Sequence, residues 1–240
     1  MRRVLRTGAV LLAAGWLGQQ LAADEPPASV APPGAETPGI RALIDRAAAA
    51  LEADGGAAEI AADPVYVPAR EWTRFRQLLR AHARDARATL VPPQERGEPL
   101  IVTGTVRDAG SGDALGGALV YVYQTDARGW YSDRAPHVSG VGGDEAHARL
   151  FGYLRTAEDG RYELRTIRPL GYPRSSLPGH LHVEIQSSGA SLVTEIRFAD
   201  DPRMTPEMRE QSLREGFLVC PVERDAGGVL HVVADLELQR

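Results

Sequence analysis

From about residue 99 to the C-terminus, apolar and polar positions alternate in short runs. Residues 101–107, 118–124, 161–166, 179–186, 191–198 and 229–238 each read as a strand, with β-branched and aromatic residues enriched. Gly, Asp, Ser and Pro separate the runs, the turn chemistry of an antiparallel sandwich. Upstream the period changes. Residues 40–53 are Ala-rich, carry apolar residues at helical spacing and stop at Gly55-Gly56. Pro68 opens a second expected helix that carries Trp72, Phe75, Leu78, Leu79 and His82 and runs to about residue 88. Its apolar stripe packs against the strands or, alternatively, makes a subunit contact in a homo-oligomer. Residues 205–215 read as a short polar helix. Residues 132–149 hold Gly140, Gly142 and Gly143 and have no period, the mark of a long loop over a site. The pattern predicts a mainly β protein: a β-sandwich over 97–240, preceded by a helical extension over 38–96.

The first residues change the picture of where the chain works. Arg2, Arg3 and Arg6 precede an apolar run over 8–17, and Ala22-Ala23 offers a cleavage site, so residues 1–23 are expected to be an export signal. The run is too short to span a bilayer. The expected location is periplasmic or secreted, with no stable membrane span after processing. Residues 24–37, rich in Pro, Ala and Glu, read as a disordered linker. Net charge is −5, and removal of the signal leaves 24 basic against 32 acidic residues, near −8. All basic residues are Arg. An acidic chain without a basic tract is a poor nucleic-acid binder. The single Cys220 has no internal disulfide partner and reads as a small buried apolar residue.

Candidate chemistry starts at Gly179-His180-Leu181-His182-Val183. On a strand, residues two apart share a face. His180, His182 and Glu184 therefore face one way, and Leu181, Val183 and Ile185 fill the core side. Two imidazoles on one face can chelate a metal, although an isolated His-x-His is more often a wet strand face. Tyr131 follows the turn Asp126-Ala127-Arg128-Gly129, and Tyr172 lies between Gly171 and Pro173. A phenol ligates as phenolate, which a trivalent iron favours as a hard, highly charged ion. Zinc would draw more usually on Cys, His and carboxylates. His137 and His147, in the long loop, are surface or substrate-contact candidates. His231, near Asp235 and Glu237, reads as structural. The chain shows no nucleophile triad, phosphate loop or Cys cluster.

These pieces stand in an order that resembles the catalytic domain of the intradiol ring-cleavage dioxygenases, the catechol and protocatechuate 3,4-dioxygenase family. The matching segments are 104–108 (GTVRD), 117–131 (GALVYVYQTDARGWY), 155–162 (RTAEDGRY), 166–173 (TIRPLGYP) and 179–182 (GHLH). The resemblance covers roughly 97–240. It implies one non-haem Fe(III) held by Tyr131 and His180 as equatorial ligands and Tyr172 and His182 as axial ligands. It also implies a small aromatic diol and O2 as substrates and a muconate-type product, with Tyr172 leaving the metal and taking a substrate proton. Two positions depart from the family pattern. Leu177 stands where ring-cleaving members usually have Arg, three residues before the first ligand His. Glu195 stands where they tend to have Gln. Arg168 or Arg174 would be the substitute cation near the substrate, and Glu184 a partner to a His ligand. Two alternatives follow: an iron-binding relative with weak or no turnover, or a metal-free transthyretin-like binding module, which segment 104–122 also resembles.

Overall fold

The computed structural model describes residues 35–132 and 148–239. The expected export signal, most of the linker, His137 and His147 lie outside the described residues.

Two mixed sheets face each other. The first contains β1 (Arg87–Thr89), β5 (Arg161–Ile167), β2 (Pro99–Asp108), β10 (Leu230–Val233) and β9 (Glu223–Arg224) in that order, with β11 (Leu236–Leu238) also running along β2. The second contains β4 (Leu150–Arg155), β3 (Leu119–Gln124), β6 (His180–Ser187), β7 (Ala190–Phe198) and β8 (Leu218–Cys220). Between them lies one apolar core. Val102 and Val106 from the first sheet meet Val120, Val122, Leu181, Val183, Ile185 and Ile196 from the second, all fully buried. The period-two alternation produces this layer directly, because every second residue of each strand points inward. Cys220 joins this core, and burial, with Asp235 next, pushes its thiol up to about 11.

The outer face of the second sheet carries the helices. α1 (Pro38–Glu52) is capped by the Thr37 side chain, α2 (Ala57–Ala62) follows, and α3 (Thr73–Ala81) lies close to β4. Ile44, Ala47, Leu51, Phe75 and Leu79 pack with Tyr121 of β3 and Phe151 of β4 in a second cluster. The stripe read on the second helix is therefore used within the chain. Beyond the core, α4 (Pro206–Arg214), capped by Thr205, packs beside β8.

The structure corrects the expected helix over 68–88. Pro68 sits inside a 3-10 helix, Pro64–Ala69, and the extended Trp72 (φ −96°, ψ 128°) separates it from α3. His82 caps α3, and 87–89 then join the first sheet as β1, parallel to β5. Strand β4 was not expected, because Leu150 and Leu154 bury one face while Phe151 and Tyr153 meet the helices on the other, which erases alternation. The expected last strand is two strands. Asp235 accepts from Thr105 N–H and Oγ1–H at 2.8 Å each and breaks the ladder between β10 and β11. Gly104 makes this crossing feasible, since a Cβ there would lie 1.9 Å from the Ala234 carbonyl oxygen.

Candidate metal centre

Strand β6 places its two histidines on the outer face, with Leu181, Val183 and Ile185 turned into the core. Antiparallel pairing puts Tyr123 opposite His182, and the two rings stack at 4.5 Å and 9°. Helices and histidines thus share one face of one sheet.

The tyrosines arrive on two locked loops. After β3, Asp126 builds a turn: its carbonyl accepts from Gly129 N–H (3.0 Å), and its carboxylate accepts from Arg128 N–H (2.8 Å) and Trp130 N–H (3.1 Å). Gly129 has φ +82°, and a Cβ there would come within 2.5 Å of the Gly171 carbonyl oxygen. The turn carrying Tyr131 therefore lies directly against the loop carrying Tyr172. Thr125 Oγ1 donates to the Leu170 carbonyl at 2.7 Å and tightens the same contact. Arg203 holds the far side of that loop, donating to the carbonyls of Tyr172 and Leu177 at 3.1 Å each. Tyr131 is held on its other flank by Arg149 N–H, which donates to the Tyr131 carbonyl at 2.8 Å. The Arg149 guanidinium grips Glu95 and reaches Asp126 Oδ2 at 3.1 Å. Burial pushes the Asp126 carboxyl up, but hydrogen bonds from Arg128, Trp130 and Arg149 outweigh it and hold the group below its ordinary value.

At the centre four donor atoms converge. Tyr131 Oη is 2.7 Å from both Tyr172 Oη and His182 Nε2. Tyr172 Oη is 3.2 Å from His180 Nε2 and 3.4 Å from His182 Nε2, and the two Nε2 atoms are 3.1 Å apart. His180 Nδ1 lies 2.9 Å from the Pro178 carbonyl. A carbonyl only accepts, so Nδ1 carries the hydrogen and Nε2 offers a lone pair to the centre. Two hydroxyl hydrogens cannot occupy all five of these close separations at once. Donors held at about 2 Å around one ion would sit roughly 3 Å apart. The set is two oxygens and two nitrogens with no thiolate, which fits a hard, highly charged cation. Tyr131 is fully buried, His180 is 5% exposed, and Tyr172 and His182 are half-buried.

The other expected residues fall in different places. Glu195 stands opposite His182 on β7, buried, with Oε1 3.8 Å from His182 Nδ1 and Oε2 bonded to Arg197. Its charge is therefore paired rather than presented bare to the centre. Glu184 lies further along β6, in a small pocket with Arg80, Tyr121 and Tyr153. Arg168 is committed to Asp200 through two bonds of 2.7 and 2.8 Å, and Arg174 is exposed on the turn after Tyr172 at φ +62°. Leu177 is partly buried, and its backbone bonds Ser175 and Arg203. His231 pairs with Asp225 at 2.9 Å on the first sheet. Sequence reading missed Asp126 as an anchor and missed Arg149, Arg197, Arg203 and the stacked Tyr123. Arg197 was within reach, because it lies two residues from Glu195 on the same strand face; Arg149 left no local signal.

A β-sandwich with paired tyrosines and histidines converging on one sheet face is a frame that fits a metal-binding protein. A family model described as Dioxygenase matches residues 74–239. Catechol 1,2-dioxygenase 1 of Acinetobacter lwoffii is 28% identical over 155 residues, covering 58% of this chain and 47% of that protein. The protocatechuate 3,4-dioxygenase beta chain of Burkholderia cepacia is 33% identical over 148 residues, covering 53% and 59%. The solved structure of catechol 1,2-dioxygenase from Acinetobacter sp. ADP1, inhibited by bound mercury, superimposes with a TM-score of 0.52 at 25% identity, covering 66% of this chain and 58% of that one. The chain belongs to the intradiol ring-cleavage dioxygenases, a family dependent on non-haem iron. It spans about half the length of the curated relatives it matches.

Proposed function

We propose that this protein is an exported non-haem Fe(III) dioxygenase that opens a catechol-type diol between its two hydroxyl-bearing carbons, using O2 and giving a muconate-type diacid. The convergence of Tyr131, Tyr172, His180 and His182 on one point carries the reading. Those four side chains would hold the iron, which supplies charge withdrawal from a chelated diol. The protein's part is division of labour between its phenols. Tyr131 is fully buried and anchored on both flanks, so it stays. Tyr172 is half-buried beside the exposed Pro173 and Arg174, so its Oη is the phenol oxygen nearer the solvent side and the one that would accept the diol's proton. The stacked Tyr123 and the hydrogen bond to Pro178 hold the two imidazoles in place.

Leu177 favours a second reading, an iron protein with weak turnover. An apolar side chain there adds no positive charge beside a bound diol, and Arg203 spends its guanidinium on the loop carbonyls. One experiment separates the readings: iron content, the visible tyrosinate absorption and O2 uptake on a panel of neutral and carboxylated catechols. Wild type is expected to be coloured, to hold one iron and to consume O2. His180→Asn, a change on the outer face of β6 and away from the aliphatic core, should leave the protein folded and strip both iron and colour. A colourless, iron-free wild type, or a His180→Asn protein with normal iron and colour, overturns the assignment; colour without O2 uptake on any diol selects the second reading.

A further inference from the structure

On the β6–β7 pair, His180 stands opposite Arg197 and His182 opposite Glu195, so two histidines, a carboxylate and a guanidinium form a square on the outer face of the sheet. Glu195 and Arg197 are 5% and 4% exposed. Glu195 Oε2 accepts from Arg197 Nε at 2.8 Å and from Nη2 at 2.7 Å. Arg197 is itself fixed from α4 and the segment after it. Its Nη1 donates to Ser212 Oγ at 2.8 Å and meets Met208 Sδ at 3.5 Å, and its guanidinium lies 4.4 Å from the centre of the Phe217 ring.

His180, His182 and Glu195 offer ligand-type atoms within 4.8 Å of one another, a set that could be read as three ligands to one ion. The directions of the atoms argue against that reading. His182 Nε2 points at the phenol oxygens, and the carboxylate stands on the opposite, Nδ1 side of the ring, with Oε1 3.8 Å from Nδ1, an ion-pair separation rather than a hydrogen bond. One imidazole cannot turn both nitrogens to the same ion. The other carboxylate oxygen is occupied by the guanidinium.

We propose that Glu195, held in place by Arg197 and α4, is a positioning residue for His182: its negative oxygen on the Nδ1 side of the ring favours the tautomer with hydrogen on Nδ1 and so leaves Nε2 as the lone pair facing the tyrosines. This rests on the iron site proposed above. Carboxylate and guanidinium cancel in charge, so the pair orients the imidazole without changing the net charge of the centre. Arg197 is needed because a buried carboxylate without a partner is unfavourable. It also makes α4, which carries none of the four donors, part of the support of the metal site.

The test compares two double replacements in the full chain. Glu195→Leu with Arg197→Met replaces the pair by apolar groups of similar size, a change buried pairs often tolerate. Glu195→Gln with Arg197→Met removes both charges but keeps an amide oxygen, with its partial negative charge, on the Nδ1 side of the ring. Fe(III) affinity is read by competition with EDTA, and the visible band by absorption. The Leu/Met protein should bind iron about ten-fold or more weakly, with a shifted band, and the Gln/Met protein should return close to wild type on both readouts. A folded Leu/Met protein with wild-type affinity and band overturns the proposal, as does a Gln/Met protein as weak as Leu/Met. Nitrogen-15 NMR of the metal-free proteins reads the tautomer itself: hydrogen on His182 Nδ1 in wild type that shifts toward Nε2 in the Leu/Met protein supports the proposal, and the same tautomer in both overturns it. A wild type that does not take up Fe(III) instead fails the site assignment itself, a separate outcome.

Discussion

The space between the two sheets and the face that carries the helices are both closed to water, yet they are held by opposite means. Between the sheets the contacts are almost wholly aliphatic, from Val102 and Val106 through Leu181, Val183 and Ile185 to Ile196. Under the helices, apolar side chains surround two buried guanidinium groups. Arg70, 2% exposed, donates through Nε to the Arg149 carbonyl at 2.7 Å and through Nη2 to the carbonyls of Leu90 at 2.5 Å and Phe151 at 3.0 Å. Its Nη1 donates to Ala61. Arg76, 6% exposed, donates to Tyr121 Oη at 2.9 Å and to the Ala148 carbonyl, and lies 3.9 Å from the centre of the Phe151 ring. Burial, with Arg76 and Arg149 close by, brings the Arg70 pKa down to about 9, which still leaves it a cation at neutral pH. The first interface is non-directional and excludes water. The second is a set of directed bonds that fix α2, β4 and the segment before β4 at defined positions. That segment bonds the Tyr131 backbone, so the directed interface is the one that reaches the metal centre.

The largest effect is expected in the aliphatic layer. Leu181 has no exposed surface and packs in the aliphatic layer, and its cross-strand neighbour Gln124 already spends its amide on the Thr125 and Ile167 carbonyls and on Thr166. Leu181→Asp buries a charge without a partner, and a loss of more than about 4 kcal/mol should leave the domain unfolded by circular dichroism. A cooperative melt near the wild-type temperature would show that this face of β6 is not core.

Arg70→Met should come next. It leaves four buried carbonyls without their donor, at about 1–3 kcal/mol each before any water enters, so a net loss of about 4 kcal/mol is expected in urea unfolding. Arg70→Lys should rescue little, because an ammonium cannot reproduce the forked geometry. If Arg70→Met loses less than about 1 kcal/mol, the guanidinium is a passenger and the contrast between the two interfaces collapses.

The same contrast decides what the sequence could reveal. Strands β2, β5, β6 and β7 were legible because one face of each meets the aliphatic layer and a period of two survives, and β3, buried on both faces, because its run of β-branched and aromatic residues marks it. The pair His180 and His182 was legible for the same reason, since Leu181 and Val183 fix the register around it. Strand β4 was not, because the helices bury its second face. Arg70 and Arg76 were illegible in principle: a guanidinium reads as surface until the carbonyls that receive it are known. Glu195 was found by position, but its meaning changed once Arg197 was seen beside it, because a paired carboxylate orients whereas a bare one repels. Leu177 remains what it was in the sequence, an apolar side chain near the mouth of the Tyr172 loop.

The smallest effect sharpens the comparison where the directed interface meets the site. Asp126 accepts from Arg128 and Trp130 and touches Arg149, and these bonds outweigh burial to hold its carboxyl below the ordinary value of 3.8. A carboxyl depressed in the folded state stabilises the fold fully above its unfolded value, near 4, and loses that contribution as pH falls through the folded value. Asp126→Asn removes the charge but keeps a similar shape, so it should lose about 1–2 kcal/mol at pH 7. The gap to wild type should stay constant down to about pH 5 and narrow below about pH 4, where the carboxyl of the unfolded wild-type chain takes up a proton before the folded one does. Urea unfolding of both proteins from pH 3 to pH 7 measures it. A gap that is unchanged at pH 3 would mean that the turn under Tyr131 is held by its backbone bonds alone, and that the Arg149 link between the helices and the donor cluster carries no energy through Asp126.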